Sequence, residues 1–173
     1  KLSSKKAPRV IDNEADANKE CERFKPHTFK IEKVDKRKRQ DFPPAPLTTS
    51  TLQQRASSQC YYSAKKTMMV AQQLYEGVSL GAMGNVGLIT YMRTDSVRLS
   101  EDAIGAIKEF VVGEFGEEYF PEKLNTHKAK KAAQEAHEAI RPTEISRHPD
   151  HVKKHLTDDQ FKLYSLIWKR SVI

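Results

Sequence analysis

The stretch GLITYMRTDSVRLS, residues 87–100, decides how the rest of the chain is read. Gly87 to Met92 is rich in β-branched and aromatic side chains and predicts a short strand. Tyr91, Arg93 and Asp95 recur at every second position. On an extended backbone, residues two apart share a face, so a phenol, a guanidinium and a carboxylate would project together. A tyrosine oxygen can attack phosphorus once it loses its proton, and with an ordinary pKa of about 10 it needs help to do so. A nearby guanidinium favours the phenolate and binds the oxygens on which negative charge builds. A carboxylate beside the arginine can fix its orientation. The spacing alone fits better a structural strand with a polar trio on its surface.

Outward from this stretch the pattern is mainly helical. Upstream, residues 77–87 hold four of the seven glycines and read as a flexible loop. They contain no GxGxxG, so no dinucleotide loop is indicated. Before them, SAKKTMMVAQQLYEG (63–77) predicts a helix capped by Ser63 and closed by Gly77, with Ala64, Met68, Ala71, Leu74 and Tyr75 on its apolar face. A shorter helix, capped by Thr49 or Ser50, runs to about Gln59. Downstream, Ser100 caps a helix whose buried stripe is Ala103, Ile104, Ile107, Phe110, Val111 and Phe115, stopped by Gly116. Residues 127–134 are rich in lysine and alanine. A last helix starts at Thr157 and carries Phe161, Tyr164, Ile167 and Trp168.

The first part of the chain is different. Of the net charge of +7, residues 1–48 contribute +5, from 13 basic and 8 acidic side chains. The densest cluster is Lys36 to Arg39, with Lys33 nearby; it can attract phosphate or simply be a solvated tip. Residues 7–11 and 27–34 predict short strands, the second alternating around Phe29 and Ile31. Phe42-Pro43-Pro44-Ala45-Pro46 can be neither helix nor central strand and reads as a stiff connector. The expected organisation is therefore a partial β-rich segment with its connector over 1–48 and a mainly α domain with a short strand over 49–173, α+β overall. No apolar run is long enough for a membrane span. Cys21 and Cys60 form no CxxC pair, so neither a zinc motif nor a disulfide framework is read, and a reducing compartment is expected. Beginning at Lys1 without a signal-peptide pattern, the chain is read as a fragment of a longer protein.

Two further groups carry possible chemistry. AHEAIRPT (136–143) sets His137 among small and charged residues, where it could move a proton, contact a phosphate, or be a hydrogen-bonded structural histidine. His148, His151 and His155 stand close enough for a weak metal-site pattern, with a surface turn as the simpler reading.

GLITYMRTDS (87–96) resembles the active-site signature of bacterial type IA DNA topoisomerases, and AHEAIRPT resembles their second signature. LTTSTLQQRAS (47–57), SAKKTMMVAQQLYEG and LYSLIWKR (163–170) resemble that family's flanking helices in the same order. Met92, where other branches usually have proline or histidine, points to the bacterial topoisomerase I branch. The resemblance implies an ATP-independent enzyme that cuts and reseals one strand and relaxes negatively supercoiled DNA. By it, Tyr91 is the nucleophile that forms a 5′-phosphotyrosine, Arg93 engages the scissile phosphate, and His137 helps proton movement or DNA contact. Met92, Asp95, Ser96, Glu138 and Arg141 are expected DNA contacts beside Lys65 and Lys66. Magnesium is expected on acidic ligands of a toprim domain outside this chain, with no metal bound within it. Expected partners are single-stranded and supercoiled DNA and the remaining domains of one polypeptide, in the bacterial cytoplasm at the nucleoid, with no membrane.

A non-catalytic DNA-binding module using Lys65, Lys66 and the 36–39 cluster is the competing reading; it leaves TYMRTDS unexplained. A phosphotransfer protein using His137 ranks last, for want of a nucleotide loop. The charge distribution predicts weak, salt-sensitive binding to single-stranded DNA. With about three phosphates neutralised, log K should fall against log salt with a slope near −2. A flat salt response in fluorescence anisotropy would contradict this.

Overall fold

The computed structural model describes residues 10–39, 43–121, 124 and 137–172. It divides into two compact units, Lys1–Asp41 and Phe42–Ile173.

In the first unit the regular element among the described residues is a helix, α1 (Glu14–Phe24). Asn13 caps it by accepting the Asp16 N–H at 2.8 Å, and Glu14 and Asp16 in the first turn with Arg23 in the last complement the helix dipole. The helix buries no residue, which is why apolar periodicity gave no sign of it. The strand expected over 27–34 is not formed. Phe29, Ile31 and Val34 are 76%, 81% and 67% exposed, and alternation makes a strand only where a partner ladder and apolar cover exist. Of the strand expected over 7–11, residues 7–9 lie outside the described residues and Val10 and Ile11 have no regular structure. The described part of the expected β-rich segment up to Arg39 is thus a helix and irregular chain.

The second unit is built on three packed helices: α2 (Thr49–Cys60), α3 (Ala64–Glu76) and α6 (Asp158–Val172). Between α3 and α6 in the chain lie α4 (Glu101–Phe115) and the single turn α5 (Pro149–Val152). The cap of α2 is Thr48, one residue earlier than expected. Its N–H donates to Thr51 Oγ1 at 2.8 Å while its own hydroxyl accepts from Thr51 N–H. Ser63, Gly77, Ser100 and Gly116 begin and end α3 and α4 as expected. On α3 the buried face is Thr67, Val70, Ala71 and Leu74, so the true stripe is turned from the expected one, and Ala64 and Tyr75 are exposed. This face packs with Leu52 and Ala56 of α2 and Leu163, Tyr164, Ile167 and Trp168 of α6. The two large aromatics of α6 also have polar handles: Tyr164 donates to the Arg147 carbonyl and Trp168 Nε1 to the Ile145 carbonyl, both at 2.8 Å. They fasten the 145–148 loop to the core.

The glycine-rich stretch after α3 is an ordered hairpin, not a loose loop. β1 (Val78–Ser79) pairs antiparallel with β2 (Asn85–Val86), in register Val78↔Val86. The strand expected over 87–92 is reduced to a bent segment with one isolated bridge, Ile89↔Pro142. Its backbone hydrogen bonds go to two places: Leu88 N–H to the Leu74 carbonyl of α3 at 2.7 Å, and, across the bridge, Thr90 N–H to the Arg141 carbonyl at 2.9 Å with Thr143 N–H back to the Leu88 carbonyl at 3.0 Å. Among the described residues no helix is long and apolar enough to cross a membrane.

Gly87 permits the closest of these approaches. A Cβ there would stand 2.7 Å from the Tyr75 carbonyl oxygen, a backbone atom that cannot swing aside. Gly87→Ala should therefore destabilise the protein by about 1–3 kcal/mol, read as a lower urea midpoint at unchanged m-value. An unchanged midpoint would show that α3 and the segment are not so tightly joined.

Candidate active site

Along residues 91–96, burial alternates without a break. Tyr91, Arg93 and Asp95 face solvent, and Met92, Thr94 and Ser96 face the core. Two threonines hold this backbone, which bends at Thr90, Met92 and Arg93. Thr49, at the start of α2, donates its hydroxyl to the Met92 carbonyl at 2.8 Å and accepts the Thr94 N–H at 2.9 Å, while its own N–H goes to the Thr94 carbonyl at 2.8 Å. Thr90 donates its hydroxyl to the Ala139 carbonyl at 2.8 Å and accepts the Arg141 N–H at 3.0 Å. Tyr91 sits between these clamps.

The second clamp brings the 137–143 segment to the tyrosine. The His137 ring lies 5.6 Å from the Tyr91 ring at 38°, and the Tyr75 ring lies 5.4 Å from it, edge-on at 66°. Thr49, Ser50, Gln53, Arg93, Thr94, Asp95 and His137 line an open groove of about 390 Å³. Tyr91, Arg93, Asp95 and His137 are thus brought together. Among the described residues Arg93 makes neither ion pair nor hydrogen bond, so the expected fastening by Asp95 is not formed and its guanidinium is available to an anion.

The other expected contacts are placed differently. Met92 and Ser96 are 1% and 4% exposed and present no surface to a ligand; Ser96 instead accepts the Arg98 N–H. Glu138 and Arg141 grip each other, Arg141 Nε and Nη2 donating to Glu138 Oε2 at 2.9 and 2.6 Å, while Arg141 Nη1 donates to the Pro142 carbonyl. Burial works against the Glu138 charge, but the hydroxyl and N–H of Ser100 and the Arg141 guanidinium outweigh it and hold the carboxyl below its ordinary range. This pair ties the histidine segment to the start of α4. Lys66 is engaged at the α3–α6 seam, 2.8 Å from Asp159 and over the Tyr62 ring at 4.4 Å. The Tyr62 hydroxyl donates to the same carboxylate at 2.7 Å. Lys65 is the second residue of α3, roughly 15 Å along the helix from Tyr75.

His148 caps α5 through the Asp150 N–H and stands edge-on to Trp168 at 4.6 Å. Among the described residues no three metal-ligating side chains converge, at these histidines or elsewhere. The lysine-rich stretch at 127–134, and Ala136 of the second motif, lie outside the described residues. Sequence reading missed Thr49, Thr90 and Tyr75. The threonines stood in view beside the motif, but their roles depend on chain segments more than 40 residues away.

The model of one protein family, described as DNA topoisomerase, matches residues 1–173. DNA topoisomerase 1 of Rickettsia felis is 48% identical over 94% of this chain and 21% of its own length; that of Rickettsia bellii is 46% identical over 94% and 20%. The solved structure of full-length topoisomerase I from Thermotoga maritima superposes with a TM-score of 0.63 at 48% identity, over 74% of this chain and 19% of that one. The chain spans about a fifth of the length of these relatives.

The Glu138–Arg141 pair predicts a pH dependence. Because the folded carboxyl titrates lower than the unfolded one, the unfolded chain binds the extra proton between the two. The contribution is full above about pH 4.3 and is lost as pH falls through the folded value. Glu138→Gln should lower stability at pH 7 by about 1–3 kcal/mol, and the gap in urea midpoint should close on acidification below about pH 4. A gap that stays constant with pH would contradict the pairing.

Proposed function

We propose that this chain, which belongs to the bacterial DNA topoisomerase I family, carries the nucleophile of a type IA enzyme. That enzyme cuts one DNA strand through a 5′-phosphotyrosine, passes DNA through the break and reseals it, relaxing negatively supercoiled DNA without ATP. The observation that carries this reading is the exposed Tyr91 ring beside His137, on the same face as Arg93, which makes no ion pair or hydrogen bond among the described residues.

The chemistry is a transesterification. Tyr91 Oη forms a bond to phosphorus as the bond from phosphorus to O3′ breaks; the phenolic proton leaves, and the departing O3′ takes one up. His137, whose ring neighbours that of Tyr91, would take part in that proton movement. Arg93 offers two parallel donors to the non-bridging oxygens as charge spreads over them. One phosphodiester is exchanged for another, so resealing needs no external fuel. The resemblance puts magnesium on acidic side chains outside this chain. The described residues offer no converging ligand set for it, and none of these steps runs through it. Residues 1–48 are proposed to join a β-rich arch of the longer enzyme, which would work at the bacterial nucleoid.

In the full-length enzyme, Tyr91→Phe should abolish the covalent adduct with radiolabelled single-stranded DNA while circular dichroism stays unchanged. Arg93→Lys keeps the charge but loses the fork, and should slow cleavage by about 10²–10³ without abolishing the adduct. A folded Tyr91→Phe enzyme that still traps DNA would overturn the assignment. If binding persists and no wild-type adduct forms, the non-catalytic module is the better reading. The 173-residue chain alone should not relax supercoiled plasmid, with or without magnesium. Relaxation by it would show that the acidic half of the site is dispensable.

A further inference from the structure

Tyr75 has no part in the scheme above, yet among the described residues it is one of two aromatic neighbours of Tyr91. It occupies the last turn of α3, where apolar spacing would put it in the core, but its side chain is 41% exposed. Its ring meets Tyr91 edge-on, with centroids 5.4 Å apart at 66°, an arrangement that the quadrupoles of two aromatic rings favour.

The frame around the pair is rigid. Leu88 N–H donates to the Leu74 carbonyl at 2.7 Å, and Gly87 approaches the Tyr75 carbonyl so closely that a Cβ would not fit. From the other side Thr143 donates its hydroxyl to the Gly87 carbonyl at 2.8 Å. Both tyrosines are therefore referenced to the same anchored residues, Gly87 and Leu88. The Tyr91 side chain itself is half-exposed, and among the described residues its hydroxyl makes no hydrogen bond. No described residue selects its χ1 well through a polar contact, and a free phenol would distribute over several. In-line attack demands an oxygen held to within about 0.5 Å.

We propose that Tyr75 is a positioning residue for the nucleophile: the edge contact of its ring holds Tyr91 in the rotamer that presents the phenolic oxygen beside Arg93 and His137. The proposal rests on Tyr91 being the nucleophile. It concerns the ring of Tyr75, not its hydroxyl, and it concerns rate, not DNA affinity.

The test uses the full-length enzyme, with single-turnover cleavage of a labelled single-stranded oligonucleotide and its Kd by anisotropy. Tyr75→Leu should slow adduct formation about threefold to tenfold with Kd changed by less than about twofold. Tyr75→Phe should restore both to near wild type. If Tyr75→Leu fails to fold by circular dichroism, Tyr75→Met, unbranched and helix-compatible, takes its place. Cleavage by the Leu or Met variant at the wild-type rate would overturn the proposal. An equal loss in Tyr75→Phe would overturn it by implicating the hydroxyl, and a weaker Kd at unchanged rate would make Tyr75 a DNA contact instead. Failure of the underlying reading would show separately, as an adduct in Tyr91→Phe.

Discussion

Two threonine hydroxyls hold this site together. Thr49 and Thr90 stand on either side of Tyr91 and satisfy backbone groups of a segment that has no regular sheet partner. A buried N–H or carbonyl without a partner is costly, so each hydroxyl helps to hold the segment in its observed form. Once that form is held, the rest follows from the period of two: Met92, Thr94 and Ser96 go inward, and Tyr91, Arg93 and Asp95 go outward. The threonines also fix where α2 begins and where the histidine segment runs, since one belongs to the first turn of α2 and the other bonds residues 139 and 141. Elements distant in sequence therefore converge on one tyrosine.

The local signals in the sequence read well where the physics is local. Ser63, Ser100, Gly77 and Gly116 act within one helical turn, and the alternation of residues 91–96 is a property of any extended backbone. The failures come from interactions that local patterning does not contain. Alternation at 27–34 carries no information about whether a partner strand exists, and those side chains are exposed. The hairpin at 78–86 was hidden by its glycines, which permit the tight turn as readily as disorder. Helix α1 lacks an apolar face altogether.

Within the site, the outward trio Tyr91, Arg93 and Asp95 was legible from its spacing of two, and burial alternates with that spacing. The supporting residues were not. Met92 and Ser96 alternate with the trio, and burial follows once the outward face is known. Lys66 reads as a phosphate contact until Asp159, 93 residues on, is seen to claim it. Tyr75 reads as core because helical spacing alone cannot separate a ring against the interior from a ring against a neighbouring segment. Glu138 and Arg141 serve each other and the start of α4.

The most direct test of this account is to identify the residue that carries DNA in the wild-type full-length enzyme. Cleavage of single-stranded DNA, denaturation to trap the complex, nuclease and protease digestion, and mass spectrometry of the linked peptide would locate it. The account predicts a nucleotide joined through phosphate to Tyr91, with the DNA 5′ end in the linkage. A linkage at Tyr75, at His137 or at any residue outside 87–96, or a 3′ phosphate linkage, would contradict it.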